Sequence, residues 1–84
     1  MNKKYIIQAA NGKLCYCVLD SDKDPIPQLE ANILGNYTGH GCALELEGNE
    51  IRFVDFYHAS TIAIHKLLRI EDTNEALTSQ WKDL

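Results

Sequence analysis

The stretch "YIIQAANGKLCYCVLD", residues 5–20, contains two strand-like runs joined by a tight turn. Asn11-Gly12 favours a two-residue hairpin turn, in which both central residues have positive φ. The residues that this register places face to face are apolar: Tyr5, Ile7 and Ala9 on one strand, and Val18, Tyr16 and Leu14 on the other. We predict that this face is the core side and that Cys15 and Cys17 lie on the opposite, mixed face.

A second hairpin is predicted from "CALELEGNEIRFVDF", residues 42–56, with its turn at Gly48-Asn49. Its alternation places Leu44 opposite Phe53 on one face and Glu45 opposite Arg52 on the other. Residues 60–70, "STIAIHKLLRI", fit either a helix or a strand. Their β-branched first half favours a strand.

Two segments have helical features. In "PIPQLEANILGN", residues 25–36, Pro27 suits a first helical position and Gly35 suits the end of a helix. Asp72 and Glu75 have the spacing of a capping box, and the apolar residues that follow have helical spacing: Leu77, Trp81 and Leu84. We therefore predict a final helix of about ten residues, which Trp81 anchors on the sheet.

Together these elements predict one α+β domain over residues 1–84. Its small antiparallel β-sheet contains two hairpins, with residues 60–70 as a candidate fifth strand, and packs against one or two helices.

Composition and charge exclude several classes of function. The net charge is −4, and the eight Lys and Arg residues form no cluster beyond Lys3-Lys4, so no direct nucleic-acid contact is expected. No apolar run approaches the length of a membrane span, and no membrane association is expected. Three cysteines are an odd number, which favours reduced thiols in a cytoplasmic protein.

Two groups of residues resemble metal ligands. Asp20, Asp22 and Asp24 match the first ligand positions of a calcium-binding loop, but Pro25 replaces its glycine and Ala31 its final glutamate. A solvated acidic turn is therefore favoured.

The cysteines offer an alternative metal site. Cys15, Cys17, His40 and Cys42 are ligands of the types that zinc binds. One residue between two ligands is tighter than the usual zinc knuckle, and reduced cysteine packs well in a core. No cofactor is expected, with zinc kept as the alternative.

An enzyme is not expected. Cys42 opposite Asp55, with His58 three residues later, invites a cysteine-nucleophile hypothesis. However, the sequence has no glycine-rich phosphate loop, nucleophile elbow or paired-carboxylate arrangement. His65 is interpreted as a partly buried surface histidine.

Two groups of residues favour binding to another protein. One is the aromatic group of Phe56, Tyr57 and His58, and the other is the acidic set of Asp20, Asp22, Asp24, Glu45, Glu47 and Glu50. Aromatic centres with charged rims are typical of protein interfaces, and acidic surfaces steer toward basic partners. An ordinary solvated surface is the alternative.

The hypothesis is a non-enzymatic protein-binding module. Its more specific form is an inhibitor of the phage or mobile-element type, which masks a basic nucleic-acid-binding surface of a host protein such as a nuclease. An open sheet edge would also allow a homo-oligomer.

Overall fold

Six strands and one helix follow one another in the computed structural model, which describes residues 1–32, 42–55 and 57–84. The bounds of these elements are β1 Asn2–Gln8, β2 Leu14–Asp20, α1 Pro25–Ala31, β3 Cys42–Glu47, β4 Glu50–Asp55, β5 Ser60–Thr73 and β6 Lys82–Asp83. Neighbouring strands are antiparallel, in the order β3-β4-β5-β1-β2-β6. The predicted α+β class, an antiparallel sheet with a helix against it, is confirmed.

The strands of the first hairpin form as predicted, but the predicted register is wrong by one residue. Tyr5 lies opposite Cys17 and Ile7 lies opposite Cys15. Because successive residues of a strand point to opposite faces, a shift of one residue exchanges the two faces. Cys15 and Cys17 therefore lie on the core side, together with Tyr5 and Ile7.

The turn of this hairpin explains the shift. The Ala9 N–H donates to the Lys13 carbonyl at 2.8 Å, which closes a three-residue loop. Inside it, the Gly12 N–H donates to the Ala9 carbonyl at 2.8 Å, and Gly12 has φ +90°. This is a type I turn followed by a left-handed glycine, which is common in three-residue hairpin loops.

The second hairpin has the predicted register. Leu44 lies opposite Phe53, and Glu45 lies opposite Arg52. Gly48 has φ +59° at the first central position of the two-residue turn, where a type II′ turn favours glycine.

Residues 60–73 form one long strand, β5, so the strand interpretation of residues 60–70 is confirmed. The first half of β5 pairs with β4, from Ser60 to Lys66, and its second half pairs with β1, from Lys66 to Thr73. β4 and β1 lie on opposite edges of β5. The two hairpins are therefore staggered along β5, which joins them into one sheet.

Helix α1 begins at Pro25, two residues before the predicted Pro27. The Asp24 side chain caps it by accepting a hydrogen bond from the Ile26 N–H at 3.1 Å. The predicted end at Gly35 lies outside the described residues. A two-turn helix is not stable alone, so α1 depends on its contacts with the sheet.

Three side chains of α1 provide those contacts, and one of them, Ile26, packs against the core as a partly buried residue. Leu29 is 1 % exposed and belongs to the core. Gln28 fixes the entry of the helix, because its Oε1 accepts from the Asp20 N–H at 2.6 Å and its Nε2 donates to the Asp20 carbonyl at 3.0 Å. α1 contacts both β2 and β3, which three strands separate in the sheet, so the sheet curls around the helix.

The predicted C-terminal helix is wrong. Residues 74–84 instead run along the outer edge of β2, where the Thr78 N–H donates to the Val18 carbonyl at 3.1 Å. Further on, β6 places Lys82 opposite Tyr16. Trp81 packs against the core from this extended segment. The segment thus covers a sheet edge that would otherwise be open.

The residues of the predicted capping box have other partners. Asp72 lies in β5 and forms an ion pair with Lys3 on the neighbouring strand β1. Glu75 accepts from Lys4 Nζ at 3.0 Å. These ion pairs fasten Asp72 and Glu75 to strand β1 and do not begin a helix.

The core lies on the concave side of the curled sheet, under α1. Its buried members are mostly aliphatic or aromatic: Tyr5, Ile7, Cys15, Cys17, Leu19, Leu29, Leu44, Ile51, Phe53 and Ala63. Within the described ranges, no helix has the length and apolar character needed to cross a membrane.

His65 also lies in this core, with an exposure of 2 %, so its interpretation as a surface histidine is wrong. The Ala10 N–H donates to His65 Nδ1 at 2.8 Å. The imidazole meets the Phe53 ring edge to face, with the ring centroids 5.4 Å apart. Burial lowers the pKa of His65.

Candidate interaction surface

The turn between β4 and β5 presents part of the predicted aromatic group. Asp55 Oδ1 accepts from the Tyr57 N–H at 2.9 Å, and Asp55 Oδ2 lies 2.6 Å from His58 Nδ1. The hydrogen bond from His58, together with that from the Tyr57 backbone, lowers the pKa of Asp55. Tyr57 is 82 % exposed and His58 is exposed, whereas Phe56 lies outside the described residues.

The aspartates of the predicted acidic set line the turn between β2 and α1. Asp20 Oδ1 accepts from the Asp22 N–H at 2.9 Å, and Asp24 caps the helix. Lys23 Nζ lies 3.9 Å from Asp20 Oδ2. These hydrogen bonds agree with the interpretation of the three aspartates as a turn.

The glutamates of the set gather around Arg52 at the β3–β4 hairpin. Arg52 Nη2 lies 2.9 Å from Glu50 Oε1, Arg52 Nη1 lies 3.9 Å from Glu47 Oε2, and Glu45 lies opposite Arg52. The hydrogen bond to Glu50, followed by the charges of Glu50 and Glu47, raises the pKa of Arg52. Lys66 lies opposite Glu50. With three carboxylates against these two cations, the hairpin stays acidic.

Strand β5 adds two aliphatic side chains that were not among the predicted binding residues. Ala63 and His65 are buried, whereas Ile62 and Ile64 are 46 % and 43 % exposed. This alternation means that both isoleucines point away from the core. Because Ile62 and Ile64 are more apolar than Ala63 and His65, which alternate with them, hydrophobic patterning alone would have placed the isoleucines inside.

The two isoleucines lie on the same face as the charged residues of the second hairpin. Glu45, Arg52 and Ile64 form one row across β3, β4 and β5, and residues facing each other across an antiparallel ladder share a face. Glu50 precedes Arg52 by two residues on the same strand, so its side chain points to the same face. We name the side chains of Glu45, Glu50, Arg52, Ile62 and Ile64 the outer patch.

A cleft opens beside the outer patch, where the tips of the two hairpins meet over β5. Its volume is about 520 Å³, and its walls include Gln8, Gly12, Asn49 and Lys66 together with Glu50 and Ile64. The cleft is large enough to receive a side chain of a docking protein.

The structure brings only part of the predicted binding set to the outer patch. Glu50 pairs with residue 66 of β5. Asp20 pairs with Asn2, which in turn pairs with residue 73 of β5, so Asp20 lies at the height of that residue. These positions are about 23 Å apart at a rise of about 3.3 Å per residue. The aspartates are therefore remote from the patch, while the Tyr57–His58 turn lies at its far end, where Asp55 pairs with Ser60.

The residues of the alternative zinc site are only partly described. Cys15 and Cys17 lie in the core, but His40 and the side chain of Cys42 lie outside the described residues. Among the side chains that the structure describes, no three potential ligands form a group that could hold a metal ion. The four-residue site stays a prediction.

Cys17 should be nearly inert toward alkylation in the folded protein. Burial raises its pKa from 9.0 to about 12. At pH 8, the thiolate fraction is therefore about a thousandfold below that of an exposed thiol, and thiolate is the reactive form. Iodoacetamide labelling followed by peptide mass spectrometry should show at least about a hundredfold slower modification of Cys17 than in urea. Equal rates in the two states would contradict this burial.

The residues of the cysteine-nucleophile hypothesis are also partly described. Cys42 lies opposite Asp55, as the predicted register requires, and Asp55 contacts His58. The position of the Cys42 thiol lies outside the described atoms. The expectation that the protein is not an enzyme therefore stays a prediction.

The outer patch combines exposed aliphatic side chains, an acidic hairpin and an adjoining cleft. Its function must be argued from this geometry, because neither family models, nor curated proteins, nor solved structures provide a match to the chain.

Proposed function

We propose that this protein is a non-enzymatic module that binds another protein through its outer patch. The observation that supports this proposal is the exposure of Ile62 and Ile64 on β5, where their branched side chains form an apolar centre. Burying this centre against a partner would remove apolar surface from water. A charged rim around an apolar centre is the usual composition of a protein interface.

The surroundings of the two isoleucines supply that rim. Arg52 lies directly opposite Ile64, with Glu45 beyond it on β3 and Glu50 beside it on β4, and Tyr57 stands exposed at the other end of the patch. Tyrosine is one of the residue types that contribute most to binding energy at interfaces. The cleft beside Ile64 has room for one side chain of the partner.

The charge of the patch favours a basic partner. The protein carries a net charge of −4, and the β3–β4 hairpin concentrates three glutamates. Such a surface accelerates association with positively charged proteins. We extend the proposal to an inhibitor of the phage or mobile-element type, which covers the basic nucleic-acid-binding surface of a host protein such as a nuclease.

Affinity purification with matched charge variants tests the proposal. Three baits are compared in lysate of the organism that encodes the chain: wild type, Glu45→Lys in the outer patch, and Asp22→Lys in the remote turn. The two variants change the net charge equally, so only the position differs. We expect a partner that wild type and Asp22→Lys retain, that Glu45→Lys retains about tenfold less, and that salt releases.

The inhibitor form has a separate readout. The captured protein is purified, and its retention of a labelled DNA or RNA duplex is measured with and without added wild-type chain. We expect the chain to displace the nucleic acid, and Glu45→Lys to do so poorly. Equal capture by all three baits, independent of salt, would refute the outer patch as the binding surface.

A further inference from the structure

Among the described residues, the second half of β5 has no strand partner on the side that faces β4. The last bond on that side is the Leu67 N–H donating to the Asn49 carbonyl at 2.6 Å. From Leu68 to Thr73, β5 pairs only with β1 within the described residues, and Leu68 is the extra residue of a β-bulge, because Ile7 faces Leu67 while Ile6 faces Arg69. Since the backbone groups of a regular strand alternate between its two edges, the part after the bulge, from Arg69 to Thr73, presents donors and acceptors without a strand partner among the described residues.

The side chains of this segment leave the edge accessible. Leu68 and Ile70 are 43 % and 46 % exposed. Arg69 and Glu71 form an ion pair with each other along the strand, so their opposite charges do not give the edge a single sign. Natural sheets protect such an edge with charged side chains, proline, a bulge or cover from a loop. The bulge here is confined to Leu68, and the charges of Arg69 and Glu71 can pair with those of a second copy. This edge therefore suits the addition of another strand.

Symmetry restricts how a second copy of the chain could add to this edge. Facing residues of an antiparallel pair point to the same side of the sheet, so the two-fold axis must pass through a pair of identical residues. An axis at position 69 or 71 would place two arginines or two glutamates face to face. An axis at Ile70 places Arg69 of each copy opposite Glu71 of the other.

We propose that residues 68–72 of β5 pair with the same segment of a second copy, antiparallel and centred on Ile70. The two six-stranded sheets then form one continuous sheet. The length of the open edge fits this register, because Leu68 faces Asp72 of the other copy, and the next residue, Leu67, is already bonded to Asn49. The interface lies on a different part of β5 from the outer patch, so it is independent of the proposed function.

The contact is small, so the dimer should be weak and dependent on concentration. Five facing pairs bury less surface than the roughly 1,200 Å² of a stable interface. Sedimentation equilibrium from micromolar to millimolar protein should show a monomer–dimer equilibrium. Hydrogen exchange should show that amides of residues 68–72 become protected as the concentration rises.

Charge exchange tests the register. Arg69→Glu places glutamates opposite each other, and Glu71→Arg does the same with arginines, so each variant should weaken the dimer about tenfold or more. The double variant Arg69→Glu/Glu71→Arg restores opposite charges and should dimerise like wild type. A mixture of the two single variants should form the heterodimer, because each then supplies the charge that the other requires.

Melting temperatures of all variants control for folding, since the exposed Arg69–Glu71 pair contributes little to monomer stability. A wild-type chain that stays monomeric at millimolar concentration would overturn the proposal and leave the edge for a strand of a different protein. A dimer that both single variants leave unchanged would also overturn it.

Discussion

The His65→Ala variant is expected to be about 3 kcal/mol less stable toward unfolding than the wild-type protein. Two losses contribute. Removal of the imidazole leaves a cavity against Phe53, and the Ala10 N–H loses the Nδ1 acceptor that lies 2.8 Å away. Small domains have a total stability of roughly 5–15 kcal/mol, so a large share would disappear. Urea denaturation followed by circular dichroism measures the loss.

Two further variants separate these contributions. His65→Gln keeps a carbonyl that can accept from Ala10, so it should retain part of the stability that alanine loses. Lys66→Ala changes the exposed neighbour and should alter the stability by less than about 0.5 kcal/mol. A loss below about 1 kcal/mol for His65→Ala would mean that the histidine does not fill the core.

The same histidine should give the protein a pH dependence. Because burial lowers the pKa of His65 below its ordinary value of 6.5, the unfolded chain takes up a proton more readily than the folded chain. The stability from the neutral ring is therefore complete above pH 6.5 and declines as the pH falls below it. Protonation of Nδ1 would also break the bond from Ala10. In His65→Ala, the part of the decline below pH 6.5 that comes from this ring should be absent.

Leu29→Ala is expected to cost about 3 kcal/mol, within the range for a buried leucine. Leu29 is the only buried residue of α1 within its helical bounds, and α1 contacts both β2 and β3. The variant therefore removes the main apolar anchor between the helix and the curled sheet. Thermal and urea unfolding should both show the loss.

Glu30→Ala is the matched control for this helix. Glu30 is exposed and adjacent to Leu29, and alanine has a high helix propensity, so the stability should change by less than about 0.5 kcal/mol. Similar effects of the two variants would show that Leu29 is not an anchor.

Local patterns predicted the fold where a segment and its partner are neighbours in sequence. In the second hairpin, the alternation of both strands and the glycine at position 48 agree on one register. In the first hairpin, Asn11-Gly12 suits both a two-residue and a three-residue loop. Ala59 is the only non-glycine residue with positive φ in the described ranges, so Asn11 has negative φ and the longer loop forms.

Elsewhere, the structure depends on pairing between residues that are distant in sequence, which local patterns do not predict. Residues 72–84 carry the spacing of a capped helix, but the edge of β2 needs a partner and the segment supplies it. The outward direction of Ile62 and Ile64 likewise depends on the inward packing of His65, which no local pattern indicates. The acidic and aromatic residues were recognisable, but their separation into a patch and a remote turn depends on the stagger of the two hairpins.

The position of β5 has a consequence for how the protein is made. Each hairpin connects neighbouring residues, whereas β5 must meet β1 across pairs such as Asn2 with Thr73. Such distant contacts slow folding, because a long loop must close first. Until β5 emerges from the ribosome, no strand connects the two hairpins, and their inner faces stay exposed to water. Apolar surface and strand edges exposed in this way are prone to aggregation.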